Sequence, residues 1–171
     1  LSPTEEARPH VVLAPECLHH RDPDDRLVCR LGEGALACLD QLGMMPADGG
    51  ASLEVGAGRA WVSRAIKARN PGILTVAQDV TAECATECPW VDDYVVGAVG
   101  ELDRARPFQL ISLTHVIEHL VDPQAMLREL AARLAPGGRI FVTAPFRPSG
   151  WSAGDGIAKW LGYPYLHVPA H

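Results

Sequence analysis

The sequence predicts an α/β fold, Rossmann-like and doubly wound, with a mostly parallel sheet and helices on both faces. From residue 51 onward, short apolar runs alternate with helical patterns. Two of these runs, 110–113 and 140–142, are almost wholly apolar, which is typical of strands covered on both faces. A glycine-rich turn links the first run to a helix. Strands that alternate with helices pair in parallel, because each crossover returns the chain to the same end of the sheet.

Length and charge exclude several classes of protein. A chain of 171 residues is the size of one domain. Its composition, with 47% hydrophobic and 21% charged residues, excludes disorder of the whole chain. The net charge of −6 argues against nucleic-acid binding. No apolar run approaches the roughly eighteen residues of a membrane span. Glu5 and Glu6 stand where a signal peptide would be apolar, so we expect a cytoplasmic protein without a membrane partner.

The elements follow from periodicity and from helix-end residues. We predict helices at 27–42, 59–69, 81–86 and 122–134 and strands at 51–55, 73–78, 94–96, 108–114 and 139–144. Asp122 is suited to cap the last helix, and Pro123 to occupy its first position. Residues 1–26 show no period and are expected to form a loop or irregular cap. The chain then divides into an N-terminal cap with a lead-in helix, 1–50, and a ligand-binding core with a tail, 51–171.

The turn after the first predicted strand of the core carries the first chemical signal. Gly56 and Gly58 allow the backbone to turn tightly and to approach a ligand without a Cβ in the way. Asp79 ends the next strand about 20 residues later, where a carboxylate can accept hydrogen bonds from both ribose hydroxyls. Asp79 could equally cap the segment that starts at Thr81. A dinucleotide fingerprint would need glycine at Trp61, so NAD binding is disfavoured.

With these two features and two later blocks, the chain resembles the class I S-adenosylmethionine-dependent methyltransferases, in the small-molecule group of the ubiquinone-pathway O-methyltransferases. The resemblance covers about 52–145. Its blocks are the glycine motif at 53–58, Asp79, the strand and turn at 108–120 with Asp122-Pro123, and the helix and strand at 130–145. It implies an enzyme that uses S-adenosyl-L-methionine to methylate a small molecule. A catalytically inactive binding protein of the same fold and, less favoured, a nucleotide-dependent oxidoreductase are the alternatives.

The resemblance also implies functional residues. Its predicted cofactor contacts are Glu54, Gly56, Ala57, Gly58, Asp79, Val80, Ala98, Val99, Thr114 and His115. An oxygen acceptor would need a general base, for which His119 and His167 are the candidates. The tail that carries His167 is expected to cover the acceptor side of the pocket. The alternatives are a helix that packs Ile157, Trp160 and Leu161 onto the core, and pairing with a second copy in a homodimer.

This chain departs from the family pattern at three points. Ala60 replaces a frequent third glycine, and Ala98 and Val99 follow a strand after which the family usually has an acid that meets the adenine. The family's final antiparallel strand pair is expected to be missing or reduced, because only 26 residues follow Pro145. The first departure is mild, whereas the second means that the adenine contact comes from the backbone or is lost.

The segment 115–119 and the cysteines are the candidate metal sites of the sequence. His115, Glu118 and His119 match an inverted zinc-protease pattern, but they follow a buried strand directly instead of lying inside a long helix. A divalent ion on these three residues is the milder alternative to side chains that face the cofactor and acceptor pocket. The chain has 5 cysteines and no Cys-x-x-Cys pair, so buried thiols are favoured. We therefore expect no metal.

Overall fold

A computed structural model describes residues 10–14, 26–103 and 105–144, and it confirms the predicted fold class. The strands are β1 (His10–Ala14), β2 (Ala51–Val55), β3 (Leu74–Asp79), β4 (Asp93–Val96), β5 (Phe108–Thr114) and β6 (Leu134–Thr143). The α-helices are α1 (Arg26–Gln41), α2 (Trp61–Arg69) and α3 (Pro123–Ala131). Single 3₁₀ turns lie at Ala85–Glu87, Val99–Glu101 and Ile117–His119. None of the helices in these ranges is long and apolar enough to cross a membrane.

The six strands within the described residues pair in parallel in the order β1-β6-β5-β2-β3-β4. From β2 the chain builds outward through β3 and β4, and it then crosses to the other side of β2 to form β5 and β6. The strand order therefore reverses between β2 and β5. In open parallel sheets, the crevice at the carboxyl ends of such a pair of strands is where ligands bind.

Hydrophobic side chains cover both faces of the sheet. Ile111 and Leu113 on β5 belong to the cluster that includes Leu130 of α3, whereas Leu110 belongs to the cluster that includes Leu39 of α1 and Ile66 of α2. Successive residues of a strand point to opposite faces, so one strand contributes to both clusters. This is the two-sided burial that the apolar runs predicted.

The N-terminal segment is a correction to the sequence prediction. Residues 10–14 were expected to lie in a loop or irregular cap, but they form β1, which pairs with β6 from His10↔Arg139 to Ala14↔Thr143. The described core sheet therefore has one strand more than predicted. The boundary at residue 50 between cap and core stays a prediction.

The region around α3 shows one confirmed signal and one error. The Asp122 side chain accepts a hydrogen bond from Ala125 N at 2.8 Å, and Pro123 is the first helical residue, as predicted. The helix ends at Ala131, however, and the chain pairs with β5 already at Leu134. The glycines expected to end the helix thus lie within β6, where the register shifts between Phe108 and Leu110. Likewise, the predicted helix at 81–86 is only the 3₁₀ turn Ala85–Glu87.

Candidate functional site

The site is built where the strand order reverses, between the end of β2 and the end of β5. We call residues 56–60, which follow β2, the glycine turn. A Cβ placed on Gly56 would lie 2.5 Å from Val116 Cγ2, so the glycine turn packs directly against the residues that follow β5. The absence of a side chain at Gly56 allows this approach.

Three residues of the glycine turn have left-handed backbone conformations. The φ angles are 60° at Gly56, 49° at Gly58 and 50° at Ala60. At Gly58, an added Cβ would meet no heavy atom of the described chain within 4 Å, so space is open above the turn at this residue. Ala60 keeps the same conformation with a fully buried methyl group. That the replacement of glycine by Ala60 is mild stays a prediction, since a left-handed conformation is one that alanine rarely adopts.

Glu54 is buried at the end of β2 and organises the start of α2. Its carboxylate accepts hydrogen bonds from Val62 N at 3.3 Å and from Ser63 N at 2.7 Å. Ala60, at the N-cap position, has no side chain able to do this. Burial raises the pKa of Glu54 to about 7, against the opposing effect of the hydrogen bonds from Ser63 and Val62. The organising role implied for Glu54 is therefore visible, while direct contact with a cofactor stays a prediction.

Asp79 joins the end of β3 to the glycine turn. Its Oδ2 accepts a hydrogen bond from Gly58 N at 2.9 Å, and its Oδ1 accepts one from Thr81 N at 3.0 Å. The second bond is the local capping interaction that the sequence left open as an alternative. The carboxylate is only partly buried, so it can hold the turn and still face a ligand. Ala57 is fixed in the same way to β3, because its N–H donates to Gln78 O at 2.9 Å.

Sequence reasoning missed the residues that hold the outer side of the glycine turn. The Tyr94 hydroxyl donates to Gly58 O at 2.7 Å, and Trp90 Nε1 donates to Ala60 O at 3.1 Å. Burial, together with the nearby Asp79 carboxylate, raises the pKa of Tyr94, which keeps its hydroxyl protonated as a donor. No local pattern marks either residue, since each acts on a backbone atom 30 or more positions away.

The end of β5 brings together the polar residues of the segment 115–119. His115 has a φ of 57°, and its Nδ1 lies 3.4 Å from Glu118 Oε1. Thr114 Oγ1 and Glu118 Oε2 are buried and find no hydrogen-bond partner in the described part of the chain. The His119 side chain is exposed on the 3₁₀ turn. Within the described ranges, no three metal-binding side chains are grouped closely enough to hold an ion.

The remaining predicted site residues follow β3 or β4 or lie outside the described residues. Val80 follows Asp79 and is 75% exposed. Ala98 is exposed, and its N–H donates to Glu101 Oε1 at 3.4 Å. Val99 is buried in the core, so only its backbone can serve the predicted adenine contact. His167, the acceptor-covering tail and the expected loss of the final strand pair all fall after residue 144, outside the described residues.

Comparison with known proteins agrees with this geometry. A family model for a methyltransferase domain matches residues 30–171. The ubiquinone biosynthesis O-methyltransferase of Xylella fastidiosa strain 9a5c is 29% identical over 110 residues, which are 58% of this chain and 43% of that protein. The protein of the same name in strain M23 is 38% identical over 53 residues, 30% of this chain and 22% of its own length. The matches thus span less than half of these curated relatives.

Solved structures share the fold. The plantazolicin methyltransferase BpumL, in complex with a triazolic desmethylPZN analogue and SAH, aligns with a TM-score of 0.58 at 16% identity over 71% of this chain and 48% of that one. A putative sarcosine dimethylglycine methyltransferase from Galdieria sulphuraria gives 0.57 at 19% identity, over 78% and 56% of the two chains. Identities this low support the fold, whereas the family model covers most of the sequence. The predicted membership is confirmed: the chain belongs to the methyltransferase domain family.

Proposed function

We propose that the protein transfers a methyl group from S-adenosyl-L-methionine to a small-molecule acceptor. The observation that carries this proposal is the Gly58–Asp79 arrangement. A left-handed glycine with open space above it is hydrogen-bonded to a partly buried carboxylate, at the reversal point of a parallel sheet. A nucleoside fits this geometry, because its hydroxyls can reach the Asp79 carboxylate while its other parts lie along the turn.

The polar atoms at the end of β5 also fit a ligand. Thr114 Oγ1 and Glu118 Oε2 are buried without a hydrogen-bond partner among the described residues, and burying a polar atom in this way costs about 1–3 kcal/mol. Ligand groups with hydrogen-bond donors would recover this cost. When bound, S-adenosyl-L-methionine supplies an electrophilic methyl group on a sulfonium. The chain's contribution is to hold the reactants in line, and alignment of this kind lowers a barrier by up to about 7–11 kcal/mol.

The acceptor is proposed to be a small molecule, in line with the names of the curated relatives. For an oxygen acceptor, His119 remains the candidate base within the described chain, since it stands on the turn that follows β5. His115 and Glu118 lie beside it as a pair, and Glu118 can fix the orientation of the His115 ring. Neutral amine acceptors would need no base.

The proposal is tested by calorimetric titration of S-adenosylhomocysteine into the purified protein, together with a methyl-transfer assay on phenolic and amine acceptors. Gly58→Val should abolish binding while the protein stays folded, because the side chain enters the open space above the turn. The matched control is Gly49→Val. Gly49 has a φ of 75° and equally open surroundings, but it lies in the turn before β2, at the opposite edge of the sheet.

Valine is β-branched and disfavours the left-handed region, so both substitutions should lower the stability of the folded protein by a similar amount. Normal binding by Gly49→Val, with none by Gly58→Val, supports the proposal. A wild-type protein that binds neither S-adenosylhomocysteine nor S-adenosyl-L-methionine would overturn it, and would favour the inactive member of the fold. If the protein binds the cofactor but transfers a methyl group to no acceptor class, the proposed cofactor site stands and the proposed enzymatic activity is wrong.

A further inference from the structure

The glycine turn is held by two sets of hydrogen bonds that come from different directions. On one side, the Asp79 carboxylate accepts from Gly58 N. On the other, the Tyr94 hydroxyl and Trp90 Nε1 donate to the carbonyls of Gly58 and Ala60. We call residues 88–94, which carry these donors, the clamp segment.

The clamp segment is itself anchored. The Trp90 ring stacks on Trp61 with centroids 5.7 Å apart, and the Arg64 guanidinium lies 4.8 Å from the Trp90 ring centroid. Cys88 is buried with Ala57 and Ala60. Tyr94 belongs to β4, which pairs with β3 at Ala77↔Tyr94. Both donors therefore stand on ordered structure, which lets them restrain the turn and not merely follow it.

The geometry points to a positioning role for Tyr94 and Trp90, and this inference rests on the proposed function: by holding the Gly58 and Ala60 carbonyls, they keep the glycine turn in its cofactor-binding conformation. In a trans peptide unit, the N–H points opposite to the C=O. A carbonyl held by the clamp segment thus directs the next N–H away from that segment. The left-handed Ala60 gains most from this restraint, because a non-glycine residue in that region relaxes readily when it is not held.

This role predicts a loss of affinity larger than any loss of fold. Tyr94→Phe removes only the hydroxyl, and Trp90→Phe keeps an aromatic ring on Trp61 while removing the indole donor. We expect each to weaken S-adenosylhomocysteine binding about 3- to 10-fold, the range of one lost hydrogen bond. Hydrogen exchange in the peptide covering 57–61 should become faster in both ligand-free variants.

The matched control is Gln109→Ala, which removes a side-chain acceptor from Ala47 N at 2.8 Å, at the start of β5 and away from the glycine turn. Titrations are run well below the melting temperature of every variant, so that a change in global stability alone does not lower the affinity. Gln109→Ala should bind like the wild type and leave exchange at 57–61 unchanged.

The outcomes separate this inference from the proposed function. If wild type binds S-adenosylhomocysteine and both clamp variants bind it equally well, the positioning role is wrong and the proposed function stands. If wild type does not bind, both fall, whatever the exchange rates show. Weaker binding by the clamp variants with unchanged exchange at 57–61 would also overturn the inference, because the turn would not have moved.

Discussion

The Glu54 carboxylate, on strand β2, caps helix α2: it accepts a hydrogen bond from Ser63 N at 2.7 Å. A helix leaves its first N–H groups without partners, and a side chain at the N-cap residue usually satisfies one of them. Here the N-cap residue is Ala60, so a residue of β2 performs the task. The same carboxylate thus ties β2, the glycine turn and α2 into one unit, which explains why an acidic residue is buried in β2.

This relationship predicts a pH-dependent stability. The unfolded Glu54 loses its proton near pH 4.5 and the folded one near 7, so between these values the folded state binds more protons. The free energy of unfolding therefore falls as pH rises through this window, by about 3 kcal/mol from this group, and is flat on either side. Urea unfolding of wild type and Glu54→Gln between pH 4 and about 8.5 measures it.

Glu54→Gln is also the control, because its amide does not titrate while other groups titrate equally in both proteins. The difference in unfolding free energy between the two proteins should change in favour of Glu54→Gln as pH rises. Parallel curves over the whole range would contradict the raised pKa.

The contact between Gly56 and Val116 predicts energetic coupling across the crevice. Gly56→Ala places a methyl group 2.5 Å from Val116 Cγ2 and in the left-handed region, so we expect a loss of about 2–3 kcal/mol. Val116→Ala in the same molecule removes the obstructing atoms. The double variant should be at least about 1 kcal/mol more stable than the sum of the single effects. Strict additivity in urea unfolding would mean that the two strand ends do not touch.

Replacing Ala60 by glycine should change the stability of the protein unusually little for a fully buried residue. Ala60→Gly relieves about 1–2 kcal/mol of left-handed strain. Two effects oppose this gain. The lost burial of the methyl group costs about 0.8 kcal/mol of stability, and the greater freedom of glycine in the unfolded chain costs up to about 1 kcal/mol. The stability should therefore stay within about 1 kcal/mol of wild type. Ala60→Val should lose more than about 2 kcal/mol, since it adds volume and strain together. Thermal melts of the two variants check this, and a tolerated valine would argue against the left-handed geometry.

Asp79 predicts a loss of ligand affinity that depends on charge. Asp79→Asn keeps an oxygen acceptor for one of its two backbone partners but removes the negative charge, so binding of S-adenosylhomocysteine should weaken by about 1.5–3 kcal/mol, or 10- to 150-fold. Asp103→Asn is the matched control, because Asp103 accepts a similar local hydrogen bond from Ala105 N at 2.9 Å in the loop that leads to β5, away from the glycine turn and the clamp segment. Equal affinities of wild type and Asp79→Asn in calorimetry would remove Asp79 from the binding site.

Local sequence was sufficient for the α/β class and for the site's two main components. Gly56, Gly58 and Asp79 stand at strand ends, and their positions follow from short-range patterns that any parallel sheet brings to one edge. The Asp122 cap was equally readable, because its partner Ala125 N is three residues away. Which of these residues contact a cofactor stays a prediction.

Tertiary structure decided the features that depend on partners far along the chain. β1 carries no period of its own, and it is a strand because the edge of β6 offers it hydrogen-bond partners. Tyr94 and Trp90 hold the glycine turn through contacts with atoms 30 or more residues away, which only the packing of β2, β3 and β4 creates. Periodicity indicates which side of a helix or strand is buried. It does not indicate which distant backbone atom a side chain will contact, and a long-range hydrogen bond depends on that partner.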